Sequence, residues 1–488
     1  MVPEPLVVGD VFRQAARAVP HRTAAVLGER SLTFSELDTW ANRTAAALAA
    51  RGIGRGDRVA VWADTTLASV PVFAALAKLG AVFAPLNGTW GPREVVRVLG
   101  RFGAALVIAD AERDEPAAAF AGSLRTQTVS FDALSSEAWD LPADDPATPV
   151  DEADPHVVFF TSGSSGTPKG AVLSHRANML RTLPGALLEP RGAMVCPYPL
   201  FHMGAWTIAL QQWHARDAVV FVSNASAEEI GAAVSRHSAA RLNAIPAVWR
   251  RLLEALAGAT PPDLSSIRFA DTGTSTTPPE LLRAIAAAMP EAQVRVFYGS
   301  TEAGSVTVLE HADLERKPGS CGVPGPLVTV RTDETGQLLV RGPLLFDGYF
   351  DDHDATDAAL VDGWYATGDL ATVDDDGFVT IVGRVGEVIR TGGEAVAPGE
   401  VESVLATHSA VADVAVLGLP DDQWGELVCA VVVPRPNSVP PQLDELRGHC
   451  AGVLASYKHP RRLVLVGEIP RTPATGQVQR LLLLEQVR

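Results

Sequence analysis

Phe159-Phe160-Thr161-Ser162-Gly163-Ser164-Ser165-Gly166-Thr167-Pro168-Lys169-Gly170-Ala171-Val172-Leu173-Ser174-His175 is the stretch that decides how this chain is read. The apolar run 157–160 reads as a buried strand, and a loop of Thr, Ser and Gly follows it. A single Lys closes the loop between Pro168 and Gly170. Such a loop suits a polyphosphate: glycines let the backbone approach, hydroxyls and amide N–H groups donate to phosphate oxygens, and the Lys adds a point charge. It is not a Walker A loop, because the spacing G-x-x-x-x-G-K-[ST] is absent. A flexible Ser/Gly linker is the plain alternative, but linkers do not usually start at a hydrophobic strand and stop at Pro-Lys-Gly.

At 488 residues the chain is too long for one core, so two or more domains are expected. Hydrophobic residues make up 47%, enough for large buried sheets. The net charge of −17 argues against nucleic acid or an anionic membrane as the main partner, though not against ATP in a locally basic loop. Cys196, Cys321, Cys429 and Cys450 are scattered, with no C-x-x-C spacing, and fit a reducing cytosol. The first residues lack a basic start and an apolar h-region, so no signal peptide is expected. No run of eighteen apolar residues predicts a membrane span. A cytoplasmic protein is expected, and a homodimer is compatible with these features.

Working outward, helical spacing predicts an opening helix over 8–19 and strands over 24–27 and 58–62. A Ser-capped helix is expected to run to Arg51. Helices are predicted over 69–79 and 92–102, with strands over 81–85 and 105–108. This alternation points to mainly parallel sheets covered on both faces. Residues 110–154 are acidic and Ala/Pro-rich and read as a loosely structured excursion. After Ala177 the alternation resumes, with a strand over 219–222 and helices over 227–236, 246–257 and 281–288. Over 328–382, short strands are separated by Asp333-Glu334-Thr335-Gly336 and Asp374-Asp375-Asp376-Gly377, two hairpin turns. The fold class is therefore α/β. A large N-terminal body, 1–383, carries a small β-rich subdomain over 328–383. A small, mobile α+β domain occupies 384–488, with its own helices (398–406, 443–455) and strands (411–417, 427–433).

Three further stretches carry chemistry. In Tyr298-Gly299-Ser300-Thr301-Glu302-Ala303-Gly304, the Tyr ring suits stacking on a base, the Thr hydroxyl suits a phosphate, and Glu302 suits Mg²⁺. In Gly363-Trp364-Tyr365-Ala366-Thr367-Gly368-Asp369-Leu370, a fixed Asp369 suits two ribose hydroxyls. Gly383-Arg384-Val385-Gly386-Glu387-Val388-Ile389-Arg390-Thr391-Gly392-Gly393-Glu394, continuing to Pro398, Glu400 and Glu402, suits a hinge because Gly386 lets the backbone swivel. The plain alternatives are a tight strand connection with an exposed Glu and an ordinary hairpin Asp.

In this order and spacing, the four stretches resemble the adenylate-forming superfamily (acyl-CoA synthetases, luciferases and peptide-synthetase adenylation domains) across nearly the whole chain. The resemblance implies that a carboxylate joins ATP as an acyl-adenylate with release of pyrophosphate. The C-terminal domain then turns, and a thiol, usually of coenzyme A, takes the acyl group. ATP, Mg²⁺ and coenzyme A are the implied cofactors, with a small-molecule acid as substrate. Carried over by position, Thr161, Ser162, Gly163, Ser164, Ser165, Gly166, Thr167 and Lys169 resemble the polyphosphate loop. Gly273 and Thr274 resemble the adenine segment, and Tyr298 with Gly299 the base-stacking site. Thr301 resembles a phosphate contact, Glu302 the metal ligand, and Asp369 with Arg384 the ribose pair. Gly392 and Gly393 resemble the segment lining the thiol channel. His202, in Pro199-Leu200-Phe201-His202-Met203-Gly204-Ala205-Trp206, sits where the family often orients the carboxylate or gates the acyl pocket, a buried structural His being the alternative. Met203, Trp206 and Trp249 are candidate pocket walls, although bulky apolar residues are more often core.

The sequence departs from the pattern near its end. The family's late Lys, in a stretch like P-x-T-x-x-G-K, stabilises charge during adenylation. Here Pro470-Arg471-Thr472-Pro473-Ala474-Thr475-Gly476-Gln477 places neutral Gln477 there. Lys458 is a poor replacement by position. The hinge also carries Gly386 where Asp or Lys is common, and Glu387 where Asp is common. Three readings follow: an acyl- or aryl-CoA synthetase with altered adenylation; a natural-product enzyme that activates an unusual acid such as nitrite to diazotise an aryl amine; or a nucleotide-binding pseudo-enzyme. The first is preferred, because the stretch 390–402 still suits thioester formation and Lys169, Glu302, Asp369 and Arg384 are intact.

Overall fold

The two apolar runs that flank the Ser/Gly loop pair with each other. Pro155–Thr161 and Lys169–Ser174 lie antiparallel, with Thr161 opposite Lys169. In this computed structural model the described residues are 5–161, 168–436, 438–472 and 476–487. The stretch Ser162 to Thr167, expected to cradle phosphate, lies outside them.

Those two strands belong to a seven-stranded sheet. Across it run Gly348–Tyr349, Lys169–Ser174, Pro155–Thr161, Val82–Leu86, Arg58–Trp62, Leu106–Ala109 and Gln127–Ser130. From Pro155–Thr161 outward to Gln127–Ser130 the pairings are parallel. Val82–Leu86 and Leu106–Ala109 are buried at every position, as a sheet covered on both faces requires. The second sheet has nine strands and a parallel centre running from Gln293–Ser300 to Thr23–Leu27. Helices Gly9–Ala18, Ser69–Leu79 and Met203–Ala215 contribute Phe12, Phe73, Trp206 and Trp213 to one hydrophobic core with these sheets. Phe73 stacks on Trp206 at 4.2 Å. Trp206 and Trp249 pack in this core, 1% and 0% exposed.

A five-stranded antiparallel sheet of Thr329–Thr332, Gln337–Arg341, Leu360–Val361, Trp364–Val373 and Val379–Arg384 forms the β-rich part. Between Gln337–Arg341 and Leu360–Val361 the chain leaves this sheet, through a short strand and helix His353–Ala359. The strand, Gly348–Tyr349, pairs with Lys169–Ser174, tying the subdomain to the body. The C-terminal unit has its own five-stranded sheet, led by the long hairpin Val411–Asp421 and Gly425–Pro434. It also has separate cores, one around Val416, Val432 and Leu446 and one around Leu417 and Leu483.

Two expectations are corrected. Residues 110–154 are not mostly loose: they hold helix Asp114–Leu124, strand Gln127–Ser130 and helix Phe131–Trp139. The strand was hard to see because it is a four-residue edge strand with only Val129 buried. The helix at Phe34–Ala50 is capped by Thr33, not by a Ser. Thr33 Oγ1 accepts from Glu36 N, and the Glu36 carboxylate accepts from Thr33 N, forming a capping box.

Candidate active site

Strand Gln293–Ser300 turns back at once into Gly304–Leu309, with Ser300 opposite Gly304. Thr301, Glu302 and Ala303 thus form the tip of a tight hairpin. Gly299 permits the close return, since a Cβ there would lie 2.0 Å from Gly304 O. The tip presents Glu302, whose side chain is buried. Tyr349 Oη donates to Glu302 Oε1 at 3.1 Å, and Lys169 Nζ lies 5.0 Å from the centre of the Tyr349 ring. The short strand Gly348–Tyr349 therefore joins Lys169 to Glu302. Among the described residues no cluster of three His, Cys, Asp or Glu groups could hold a metal by itself. One carboxylate is the donor set expected when Mg²⁺ is carried mainly by nucleotide phosphates.

Tyr298 stands at the base of the same hairpin. Its Oη donates to Asp369 Oδ2 at 2.7 Å, and Arg384 Nε donates to Asp369 Oδ1 at 2.6 Å. Asp369 and Arg384 face each other across paired strands, brought together by the hairpin at 374–377 and a one-residue register shift between Leu370 and Ala371. Burial, and then the charge of Asp369, push the Tyr298 phenol well above its ordinary pKa. The two hydrogen bonds orient the Asp369 side chain at the junction of three strands. Gly273 pairs with Phe297, one residue before Tyr298. Thr274 takes φ +66°, a conformation that costs a β-branched residue roughly 1–3 kcal/mol.

His202 caps helix Met203–Ala215: its Nδ1 accepts from Gly204 N at 3.1 Å. The ring lies parallel to Tyr198 at 5.7 Å. Burial lowers its pKa to about 4, so the imidazole is neutral at pH 7. With Nδ1 accepting, the proton sits on Nε2.

Gln477 is exposed, in a loop that reaches the body. Gln477 N donates to Thr472 Oγ1 at 3.1 Å, and Arg471 pairs with Asp413 at 2.7 Å. A Cβ on Gly476 would lie 3.5 Å from Ile245 Cδ1 and 3.9 Å from Ser275 Oγ, so the loop rests beside the 273–275 segment. A cavity of about 210 Å³ lies between loop and body, lined by Tyr198, Ile245, Val248, Arg251, Arg471 and Thr472 among others. The structure does not bring Gly392 and Gly393 to this cluster. They form the turn between Ile389–Thr391 and Glu394–Val396, with φ +59° and +86°, and Gly392 N donates to Trp424 O at 2.8 Å. Lys458 is engaged elsewhere, paired with Glu400. Arg480 joins Glu387, at 2.8 Å, to Glu402, at 2.9 Å.

Sequence reasoning missed Tyr349 and Arg181. Arg181 lies on helix His175–Thr182, where His175, Asn178, Arg181 and Thr182 are buried. That polar stripe at helical spacing was a legible sign that the face points inward. Burial lowers the Arg181 pKa to about 10, opposed by Glu302 and Asp347, so it stays charged at pH 7.

Compared with known proteins, the sequence matches the family described as AMP-binding enzyme over residues 12–350 and the AMP-binding enzyme C-terminal domain over 400–475. It is 30% identical to the long-chain-fatty-acid–CoA ligase FadD13 of Mycobacterium tuberculosis, covering 98% of each chain. It is 35% identical to a feruloyl-CoA synthase of an Amycolatopsis species, covering 95% of this chain and 97% of that one. ATP-bound MatB from Rhodopseudomonas palustris matches with a TM-score of 0.89 at 28% identity, over 98% of both chains. The apo form of MatB matches with 0.80.

Proposed function

The chain belongs to the family of AMP-binding enzymes, as an ATP-dependent, AMP-forming acid–CoA ligase, and from that premise we propose how its residues divide the work. Asp369 takes the two ribose hydroxyls, held in place by Arg384 and Tyr298. Lys169, the Ser/Gly-rich stretch before it and Thr301 take the phosphates, and Glu302 takes Mg²⁺. Held through Glu302 and the nucleotide itself, Mg²⁺ would supply positive charge that offsets the developing charge on the phosphates. The observation that carries this reading is the Tyr298–Asp369–Arg384 cluster, joined by hydrogen bonds of 2.7 and 2.6 Å.

In the first step a carboxylate oxygen of the acid bonds to the α-phosphorus of ATP, the α–β bridging bond breaks, and pyrophosphate leaves. His202 offers its Nε2 proton to the carboxylate and orients it. Lys169 holds the departing phosphates. Gln477, reaching in on the 471–478 loop, supplies an amide dipole where a cation would offset more charge. In the second step the sulfur of coenzyme A attacks the acyl carbon and AMP leaves. The C-terminal domain, hinged at 384–387, turns to bring Gly392 and Gly393 to the thiol path. The relatives' names point to acids with an extended apolar or aryl body, and feruloyl-type aryl acids are the first class to try. All four cysteines are unpaired, in keeping with a reducing, cytoplasmic setting.

Release of AMP is the test, measured with aryl, medium-chain and long-chain acids, with and without coenzyme A. Acid-dependent AMP release with matching thioester supports the reading. A second reading, nitrite activation for diazotisation, rests on Gln477 alone. AMP release only with nitrite plus an aryl amine, without thiol consumption, would establish it instead.

A further inference from the structure

We propose that Arg181 is a positioning residue for the turn that carries Thr301 and Glu302. The inference rests on the reading of those two residues given above. Arg181 is 5% exposed and makes no ion pair with a carboxylate among the described residues. Its three nitrogens donate instead to backbone: Nη1 to Thr301 O at 2.7 Å, Nη2 to Glu302 O at 2.7 Å, and Nε to Leu344 O at 2.6 Å. A buried guanidinium without a paired carboxylate is costly, and it is tolerated only where its donors are satisfied. Here the planar fork spans two segments at once, which a lysine's point charge cannot do.

Both segments matter to the site. Thr301 and Glu302 form the hairpin tip. Leu344 begins the run into Tyr349, whose hydroxyl reaches Glu302 and whose ring faces Lys169. Phe346 N donates to the same Glu302 carbonyl at 2.7 Å, so the fork and the strand hold the turn together from behind. Gly304 completes the fit. It adopts φ +71°, and a Cβ there would lie 3.1 Å from Arg181 Nε and 3.2 Å from Cδ. The glycine both permits the turn and leaves room for the arginine stem. One buried cation on the body thus sets the distance between the phosphate hydroxyl, the metal carboxylate and the tyrosine that orients it.

The test uses the full chain and α,β-methylene ATP, which cannot be cleaved at the reacting bond. Calorimetry gives its affinity with and without Mg²⁺, and AMP affinity without Mg²⁺ reports the ribose end alone. For Arg181→Met and Arg181→Lys, the gain in analogue affinity on adding Mg²⁺ is expected to shrink by roughly tenfold to a hundredfold, the scale of an ångström-level misplacement. AMP binding is expected to stay unchanged. Gly304→Ala, which keeps the guanidinium but presses on its stem, is expected to shift the Mg²⁺ effect the same way. Equal loss of AMP and Mg²⁺-dependent binding, full rescue by Lys, or failure of all three variants to fold would overturn the proposal. Glu302→Gln separates the two levels. If it leaves the Mg²⁺ effect intact, the reading of Glu302 fails. If it abolishes the effect while the Arg181 variants do not, only the positioning role fails.

Discussion

Replacing Asp369 with Asn removes a charge and little else. The carboxylate accepts from Tyr298 Oη at 2.7 Å and from Arg384 Nε at 2.6 Å, with Arg384 in register on the facing strand. An asparagine keeps one acceptor oxygen, which Arg384 will claim, and turns its amide toward Tyr298. Arg384 has 49% of its side chain exposed, so losing its ionic partner costs about 1 kcal/mol or less in stability. The nucleotide loses more. Two ribose hydroxyls that donate to a carboxylate are worth roughly 1.5–3 kcal/mol each, and a neutral amide oxygen recovers part of one. A net loss of about 2–4 kcal/mol follows, or roughly 30-fold to 1,000-fold in affinity. Because the ribose is remote from the reacting bond, the loss should appear in KM for ATP and in Kd for AMP, with kcat little changed. ATP–pyrophosphate exchange and calorimetry with AMP measure both. A change of less than threefold in AMP affinity, with a cooperative melt retained, would refute the ribose assignment.

Gln477→Lys places a cation on the 471–478 loop beside Ser275, and should raise the exchange rate by about tenfold or more. An unchanged or lower rate would mean that the loop does not deliver its side chain to the phosphates. Lys169→Ala should lower kcat/KM for ATP by roughly a hundredfold to a thousandfold, with no cation at position 477 to share the load; a mild effect counts against the shared role. Stability should fall as pH drops. His175 is buried, and its pKa is lowered from 6.5 to about 4 by burial against the pull of Asp154. His156, packed 4.6 Å from it, is lowered well below 6.5 by burial and then by the charge of His175. Both pKa values are lower in the folded chain, so the unfolded chain binds more protons below pH 6.5, and stability is lost from there toward pH 4. At pH 5.5 the pair should cost roughly 2–3 kcal/mol, read by urea unfolding at pH 7.5 and 5.5. Flat stability over that range contradicts their burial as neutral rings.

The parts of the site that were legible in the sequence are those carried by local patterns. Tyr298, Glu302, Asp369 and Arg384 stand in short stretches whose strand and turn signals are strong. Hairpin register, shifted by one residue at an irregularity between Leu370 and Ala371, then places Asp369 opposite Arg384. Tyr349 and Arg181 were not legible as site residues, because their roles depend on contacts at long range. Tyr349 reaches Glu302 from 47 positions away, and Arg181 reaches Glu302 from 121. The same limit applies to Trp206 and Trp249, pocket candidates by type: Trp206 stacks on Phe73 and Trp249 Nε1 donates to Asp271 O, long-range contacts that no local pattern shows. The helix over 69–79 was legible to the residue because Ser69–Leu79 is an almost wholly apolar run, broken inside only by Lys78, and ends at Gly80 in the left-handed conformation. The region 110–154 was not, because a four-residue edge strand carries too few buried positions to show a period.

The most direct test follows AMP, pyrophosphate and free thiol together in one reaction of the full chain with ATP, Mg²⁺, coenzyme A and a panel of acids. The account predicts that at least one acid yields AMP, pyrophosphate and lost thiol in equal amounts, and that Glu302→Gln abolishes all three. No AMP from any acid, or AMP without loss of thiol, would contradict it.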